Sequence, residues 1–320
     1  MAAKTIELTQ PFSLARTLES GQCFGWRRLP ARPRGQSQRR LQSVEELAAL
    51  RTRTSRVVAL RRNDGLNEGY AGVLNGKKAF LQQDGNNLQF SEATAEEITR
   101  FIALDHDLPA IMRGLSKDAK LAPALKAGKG IRILRQDPWE CAISFVVSQN
   151  SNIPRIEATL QKIREEYGNA LGEGIYSFPS PARLSQATLL QLQKLGLGYR
   201  AQFVKNFADH VSKHGDFNGL HGKPYADARR LLMNHLGIGP KIADCICLYG
   251  LQKLEAFPVD VWIKRVMTSV YGKEITRAYD VSAEKVSAEK IAEFGRKRFG
   301  EFAGYAQLYL FQWERNVGKK

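Results

Sequence analysis

Two side chains stand out for the chemistry that their types and spacing allow. Lys241 follows Leu236-Gly237-Ile238-Gly239-Pro240, and Asp260 follows Phe257-Pro258-Val259 nineteen positions later. A lysine amine, once free of its proton, attacks an electrophilic carbon and forms a Schiff base. A carboxylate at the start of a helix offsets positive charge developing on a substrate beside it. Together they suit cleavage of an N-glycosidic bond, where positive charge builds on the sugar. Each has a plainer alternative. Lys241 also reads as a point charge over a phosphate, and Asp260 as an ordinary N-cap. Residue type alone leaves both open.

The segment before Lys241 says where that chemistry would occur. Gly ends one helix in a left-handed conformation and Pro240 suits the first turn of the next, which predicts a helix-hairpin-helix. Gly237 and Gly239 then leave backbone N–H groups unpaired at the positive end of a helix dipole, a place for a phosphate. The net charge of +16 asks for a polyanion, either nucleic acid or an anionic membrane surface. No apolar run reaches the roughly 18 residues that span a bilayer, so DNA is the expected partner and no membrane is expected. The N-terminus lacks the apolar core of a signal peptide, and we expect a protein that is not secreted, cytoplasmic and nucleoid-associated or nuclear. Cys23, Cys141, Cys245 and Cys247 form no CxxC pair and the histidines are scattered. No metal held by side chains is expected, and free thiols fit a reducing compartment.

These residues need elements to position them. Residues 1–90 carry strand signals. Arg56–Leu60, Tyr70–Leu74 and Lys77–Leu81 are β-prone; Asn75-Gly76 joins the last two as a hairpin, and Gly85-Asn86-Asn87 leads into another strand. The Arg-rich, Pro-containing stretch 27–53 reads as a flexible basic insert, ending in a short helix near Val44–Leu50. From Thr94 the apolar spacing is helical. It predicts helices over Ala95–Leu104, Pro138–Val147, Ile153–Tyr167, Leu184–Leu195, Arg200–His214, Tyr225–Leu236, Pro240–Leu251, Val261–Tyr271, Ala283–Phe299 and Glu301–Glu314. The expected fold class is α+β: an N-terminal antiparallel sheet domain (1–115), then a large all-helical region (116–320) containing the hairpin.

At this point the residues resemble a known family. Leu236–Asp260 resembles the helix-hairpin-helix/Gly-Pro-Asp superfamily of DNA glycosylases, and its 8-oxoguanine DNA glycosylase/lyase branch in particular. Gly21-Gln22-Cys23-Phe24-Gly25-Trp26, Arg135–Cys141, Ser148–Arg155, Leu195–Ala201 and Ala303–Gln307 resemble further motifs of that branch, in the expected order.

The resemblance implies a role for each position. Lys241 would attack C1′ and Asp260 would be the essential carboxylate. Gly21 would offer its carbonyl to the N7–H of 8-oxoguanine. Cys245 and Phe311 would sandwich the extruded base, Gln307 would bond its Watson–Crick edge, and Phe24 and Trp262 would complete the pocket. Asn150, Arg155 and Arg200 would contact the estranged cytosine while Tyr199 wedges into the stack. The Gly237–Gly239 turn would bind backbone phosphate, with a monovalent cation, K+ or Na+, on its carbonyls and no other cofactor. The partner would be duplex DNA containing 8-oxoguanine, and the protein a monomer.

Plainer readings stand beside these: core aromatics at Phe311 and Tyr199, a small hydrophobe at Cys245, a turn at Gly21, solvated arginines at 155 and 200, a helix C-cap at Asn150. Three departures from the family pattern stand out. Trp262 occupies the place of a usual histidine, with Glu314 as its expected acidic partner. Gly25 lacks a basic side chain often found there, and the basic insert follows Trp26 directly. Two other functions remain open: a monofunctional alkylated-base glycosylase, which would use the aspartate without a lysine, and a non-catalytic helix-hairpin-helix DNA-binding protein.

Overall fold

The computed structural model of the chain describes residues 4–29, 69–215 and 218–317. The strand expected at Arg56–Leu60, the short helix near Val44–Leu50 and most of the basic stretch lie outside them. Strands β1 (Lys4–Glu7), β2 (Arg27–Arg28), β3 (Gly69–Leu74), β4 (Lys77–Asp84) and β5 (Asn87–Ser91) form one antiparallel sheet in the order β1-β5-β4-β3-β2. Arg27 and Arg28 therefore belong to the sheet, opposite Ala71 and Tyr70, and not to an insert. Backbone pairing to β3 outweighs their charged composition. Asn75 and Gly76, at φ 50° and 73°, make the tight β3–β4 turn, which needs two left-handed residues.

The sheet buries one face. Tyr70, Leu81 and Phe90 are cross-strand neighbours packed with Leu14, Leu18, Ile98, Phe101 and Leu134. Trp26 stacks on Phe101 with ring centroids 5.2 Å apart and lies across β3 at Gly72, where any Cβ would stand 2.5 Å from the indole. This fastens the Gly21–Trp26 motif to the sheet.

The helices are α1 (Leu14–Leu18), α2 (Ala95–Phe101), α3 (Leu108–Leu115), α4 (Ala122–Gly128), α5 (Pro138–Val147), α6 (Ile153–Tyr167), α7 (Pro181–Ser185), α8 (Leu189–Leu192), α9 (Arg200–His214), α10 (Asn218–His221), α11 (Tyr225–Met233), α12 (Pro240–Cys245), α13 (Val261–Tyr279), α14 (Ala288–Phe299) and α15 (Ala303–Val317). Helices α1 and α2 belong to the sheet core, and the helices from α3 onward share a second, larger core, which also takes in Phe24. The architecture is α+β.

Several helical expectations change. The helix expected over Leu184–Leu195 is broken, because Thr188 and Gln191 form a capping box that starts α8 afresh. Helix α13 runs through Gly272 and ends where Asp280 turns left-handed. Helix α14 begins later than expected, after the Ser287 N-cap. The Pro240–Leu251 span is regular only to Cys245 and then widens into a π-type turn over Ile246–Gly250. Helices α1, α3, α4 and α10 carried no prediction.

Candidate active site

The hairpin forms as its glycines require. Helix α11 ends at Met233, and the chain turns through Gly237, at φ 84°. A Cβ on Gly237 would stand 2.3 Å from the Phe203 ring, so only glycine fits. Gly239 then caps α12, with Pro240 in its first turn. Lys241 follows, and its Nζ donates to Ser148 Oγ at 3.3 Å, lying 5.2 Å from the centre of the Phe145 ring. Ser148 in turn donates to the Phe145 carbonyl at 2.7 Å, so its lone pairs are left for Lys241.

Asp260 does what its position suggests. Its Oδ1 accepts from the Ile263 N–H at 2.8 Å and caps α13. Cap and functional carboxylate are therefore compatible, since the other oxygen is not needed for the cap. Cys245, one turn beyond Lys241, is buried. Burial pushes its thiol up to about 12, with Lys241 pulling the other way and Asp244 and Asp260 adding to the rise. It is a neutral, polarisable wall and not a nucleophile.

Helix α15 supplies the opposite wall. Gly304 lets it approach the hairpin segment: a Cβ there would stand 2.3 Å from Leu248. Gln307, Phe311 and Arg315, four residues apart, fall on one face. Gln307 is 5 % exposed, and its Nε2 donates to the Pro258 carbonyl at 3.0 Å. Its buried Oε1 has no partner. A buried acceptor left open costs about 1–3 kcal/mol, which marks it as a position for a ligand donor.

The N-terminal motif closes the site. Gln22 is buried and acts as a staple: its Nε2 donates to the carbonyl of Arg132 and its Oε1 accepts from the Leu134 N–H, at 2.9 and 2.8 Å. That fixes Gly21, at φ 85°, where a Cβ would meet Ile153, Arg315 and Phe311 within 3.2–3.6 Å. The preceding Ser20 carbonyl accepts from Gln312 and Arg315. Phe24 meets Phe145 edge-on, and Phe145 stacks on Tyr249 at 5.5 Å. At Gly25 the room of the absent side chain is filled from elsewhere. A Cβ would stand 2.9 Å from Glu140 Oε1 and 3.2 Å from Arg164 Nη2, which pair with each other at 2.5 Å.

All of this surrounds one cleft of about 370 Å³. Gly21, Phe24, Lys241, Cys245, Asp260, Trp262, Gln307 and Phe311 all line it. So do Phe145, Ser148, Tyr249 and Arg315, to which the sequence reading gave no role. Arg315 was within reach, because it continues the four-residue spacing of Gln307 and Phe311.

Asn150, Arg155, Tyr199, Arg200, Gly237 and Gly239 do not line the cleft. Asn150, Tyr199, Arg200 and Gly237 are tied together around Gln149. Asn150, left-handed at φ 47°, donates from Nδ2 to Tyr199 Oη at 3.0 Å, and Tyr199 is 52 % exposed. Arg155 is exposed in the first turn of α6. Arg200 is only 4 % exposed, so the solvated reading fails for it. Its Nε donates to the Leu197 carbonyl at 3.0 Å and its Nη1 to that of Gln149. The Gln149 side chain reaches the Gly237 carbonyl at 3.0 Å, in the hairpin turn. At the cleft mouth Trp262 carries the Arg265 guanidinium 5.0 Å above its ring, and Arg265, not Trp262, is the partner of Glu314.

Comparisons with known proteins find relatives in sequence and in overall fold. Residues 5–142 match the family "8-oxoguanine DNA glycosylase, N-terminal domain", and residues 143–293 match the "HhH-GPD superfamily base excision DNA repair protein". The chain is 35 % identical over 225 residues to a probable N-glycosylase/DNA lyase of Methanothermobacter thermautotrophicus, covering 63 % of this chain and 69 % of that one. It is 32 % identical over 289 residues to an N-glycosylase/DNA lyase of Saccharomyces cerevisiae, covering 78 % and 75 %. Among solved structures it is similar to Clostridium acetobutylicum 8-oxoguanine glycosylase/lyase in complex with double-stranded DNA containing cytosine opposite 8-oxoG. There the TM-score is 0.77 at 28 % identity, over 98 % of each chain.

Proposed function

The chain belongs to the 8-oxoguanine DNA glycosylase/lyase family, and from that premise we propose how its cleft performs the reaction. The protein is a base-excision repair enzyme, a DNA N-glycosylase and lyase acting on 8-oxoguanine in duplex DNA. The observation that carries the residue assignment is the convergence of Lys241, Asp260 and the open Gln307 Oε1 in one cleft.

The extruded base enters between Cys245 and Phe311. Gln307 Oε1 accepts a hydrogen bond from its Watson–Crick edge, and the Gly21 carbonyl accepts the N7–H that guanine lacks. Ser148 holds the Lys241 amine until the sugar arrives. Nitrogen attacks C1′, the C1′–N9 bond breaks, and its electron pair leaves with the base, which takes up a proton. Asp260 faces the positive charge on the sugar as it builds. Loss of the ring oxygen from C1′ gives the Schiff base. Removal of a C2′ proton then expels the 3′-phosphate by β-elimination, which nicks the strand.

Opposite-base reading falls to Asn150, Arg155 and Arg200, with Tyr199 as the wedge and the Gly237–Gly239 turn on a phosphate. A monovalent cation at that turn would share carbonyls already in use, since those of Gly237 and Gly239 accept from Gln149 Nε2 and the Ala243 N–H. A carbonyl has two lone pairs, so the fit allows a loosely held ion, and no step depends on it. All these groups come from one chain, which suits a monomer. No described helix is long and apolar enough to cross a membrane, and the reading places the protein with DNA, in a nucleoid or nucleus.

Borohydride trapping on duplexes carrying 8-oxoguanine tests the reading. A covalent adduct through Lys241 is expected. Base release without an adduct would point to a monofunctional glycosylase, and binding without release to a non-catalytic DNA-binding protein.

A further inference from the structure

We infer that Arg265 is a phosphate-binding residue at the mouth of the cleft, taking the single backbone phosphate that flanks the extruded nucleotide. The inference rests on the reading above. Trp262 lines the cleft, and Arg265 comes back over its indole from one turn further along α13, at 5.0 Å. An arginine stacked on an aromatic face keeps its N–H edge free, and the planar fork matches a phosphate. Among the described residues the acid paired with it is Glu314, at 3.8 Å, too long for a hydrogen bond. Glu314 therefore orients the guanidinium without using its donors. The Arg265 side chain remains 65 % exposed. Val261, at the start of the same helix, is 74 % exposed, so this lip of the cleft is open to a large partner. A nucleotide drawn into the cleft must carry its backbone past this lip. Asp260 sits at the same helix start, and Arg265 offsets its charge on the outer side of the lip, as Lys241 and Arg315 do within the cleft.

Binding can be measured without base chemistry. The probe is a duplex with one tetrahydrofuran abasic analogue, made also with a neutral methylphosphonate at each phosphate near the lesion in turn. Arg265→Ala is expected to weaken binding about 5- to 20-fold and to reduce the magnitude of the salt slope by roughly 0.9, the value for one neutralised phosphate. One methylphosphonate next to the abasic site should weaken the unaltered protein by a similar factor and Arg265→Ala hardly at all. Arg265→Lys should fall between the two, because it keeps the charge and loses the stacked fork. The idea is overturned if Arg265→Ala binds as tightly as the unaltered protein, or if its penalty adds to that of every methylphosphonate. Either result leaves the catalytic reading standing if the unaltered protein still traps on 8-oxoguanine DNA, so the two can fail separately.

Discussion

Lys241 Nζ donates to Ser148 Oγ, which places the last residue of the α5 cap directly against the first turn of α12. Two helices distant in sequence thus fix one amine. The Phe145 ring beneath it adds a face that the side chain packs on. Lys241→Gln puts a neutral amide, one bond shorter, in place of the amine, and an amide cannot form a Schiff base. Base release and borohydride adduct should both vanish while affinity for lesion duplex stays. Full nicking by the purified variant would remove Lys241 from the mechanism.

Asp260 combines a cap with a charge. Asparagine caps almost as well, so Asp260→Asn should leave thermal stability nearly intact. Loss of a preorganised anion beside a cationic sugar should slow single-turnover base release on the order of 10²-fold or more. A rate within a few-fold of the unaltered enzyme would reduce Asp260 to its cap.

The unpartnered Gln307 Oε1 makes a prediction in which stability and binding diverge. Gln307→Leu removes a buried acceptor that costs about 1–3 kcal/mol in the free protein. It also removes the Nε2 donor from the Pro258 carbonyl, a loss of similar size, so the variant should unfold at a temperature close to that of the unaltered protein. Discrimination of 8-oxoguanine from an abasic analogue should drop about tenfold, the equivalent of one lost hydrogen bond. Unchanged discrimination in competition binding would exclude Gln307 from base reading.

Tyr199 and Arg200 are adjacent yet should respond differently. Tyr199 is exposed, and Tyr199→Ala should cost little stability while slowing cleavage of every duplex. Arg200→Ala strips donors from the Leu197 and Gln149 carbonyls. It should lower stability by about 1–3 kcal/mol and narrow the preference for cytosine over adenine opposite the lesion. Denaturant midpoints and cleavage of the four opposite-base duplexes separate the two effects. A preference left intact in Arg200→Ala would make it purely a structural clamp.

Burial holds His106, His221 and His235 below the usual histidine range, aided by Arg135, Lys253 and His210 respectively. Their neutral forms are the folded ones. The associated stability is fully present above about pH 6.5, the unfolded value, and is lost as pH falls through the lower folded values. Urea midpoints should fall between pH 7.5 and 5.5, and His235→Phe should make that fall shallower. His235 packs edge-on to Phe207, so phenylalanine suits the position. An equally steep fall in the variant would clear His235 of any part.

By itself the sequence determined the hairpin, its lysine and its aspartate, because each is written in local terms. A left-handed Gly237, a Pro240 in the first helical turn and an Asp260 cap are demands of the backbone on a few neighbouring residues. The β3–β4 turn was legible for the same reason. The positions from Gly21 to Phe311 could be named through resemblance, but not assembled from local spacing. Their convergence rests on contacts distant in sequence: Gln22 stapled to residues 132–134, Gly304 admitting α15 to Leu248, Ser148 meeting Lys241. Only the tertiary structure decided that Arg200 is buried and that Arg27 and Arg28 join a strand. Each of those outcomes depends on what else packs nearby, and a charged residue's burial cannot be read from its own composition.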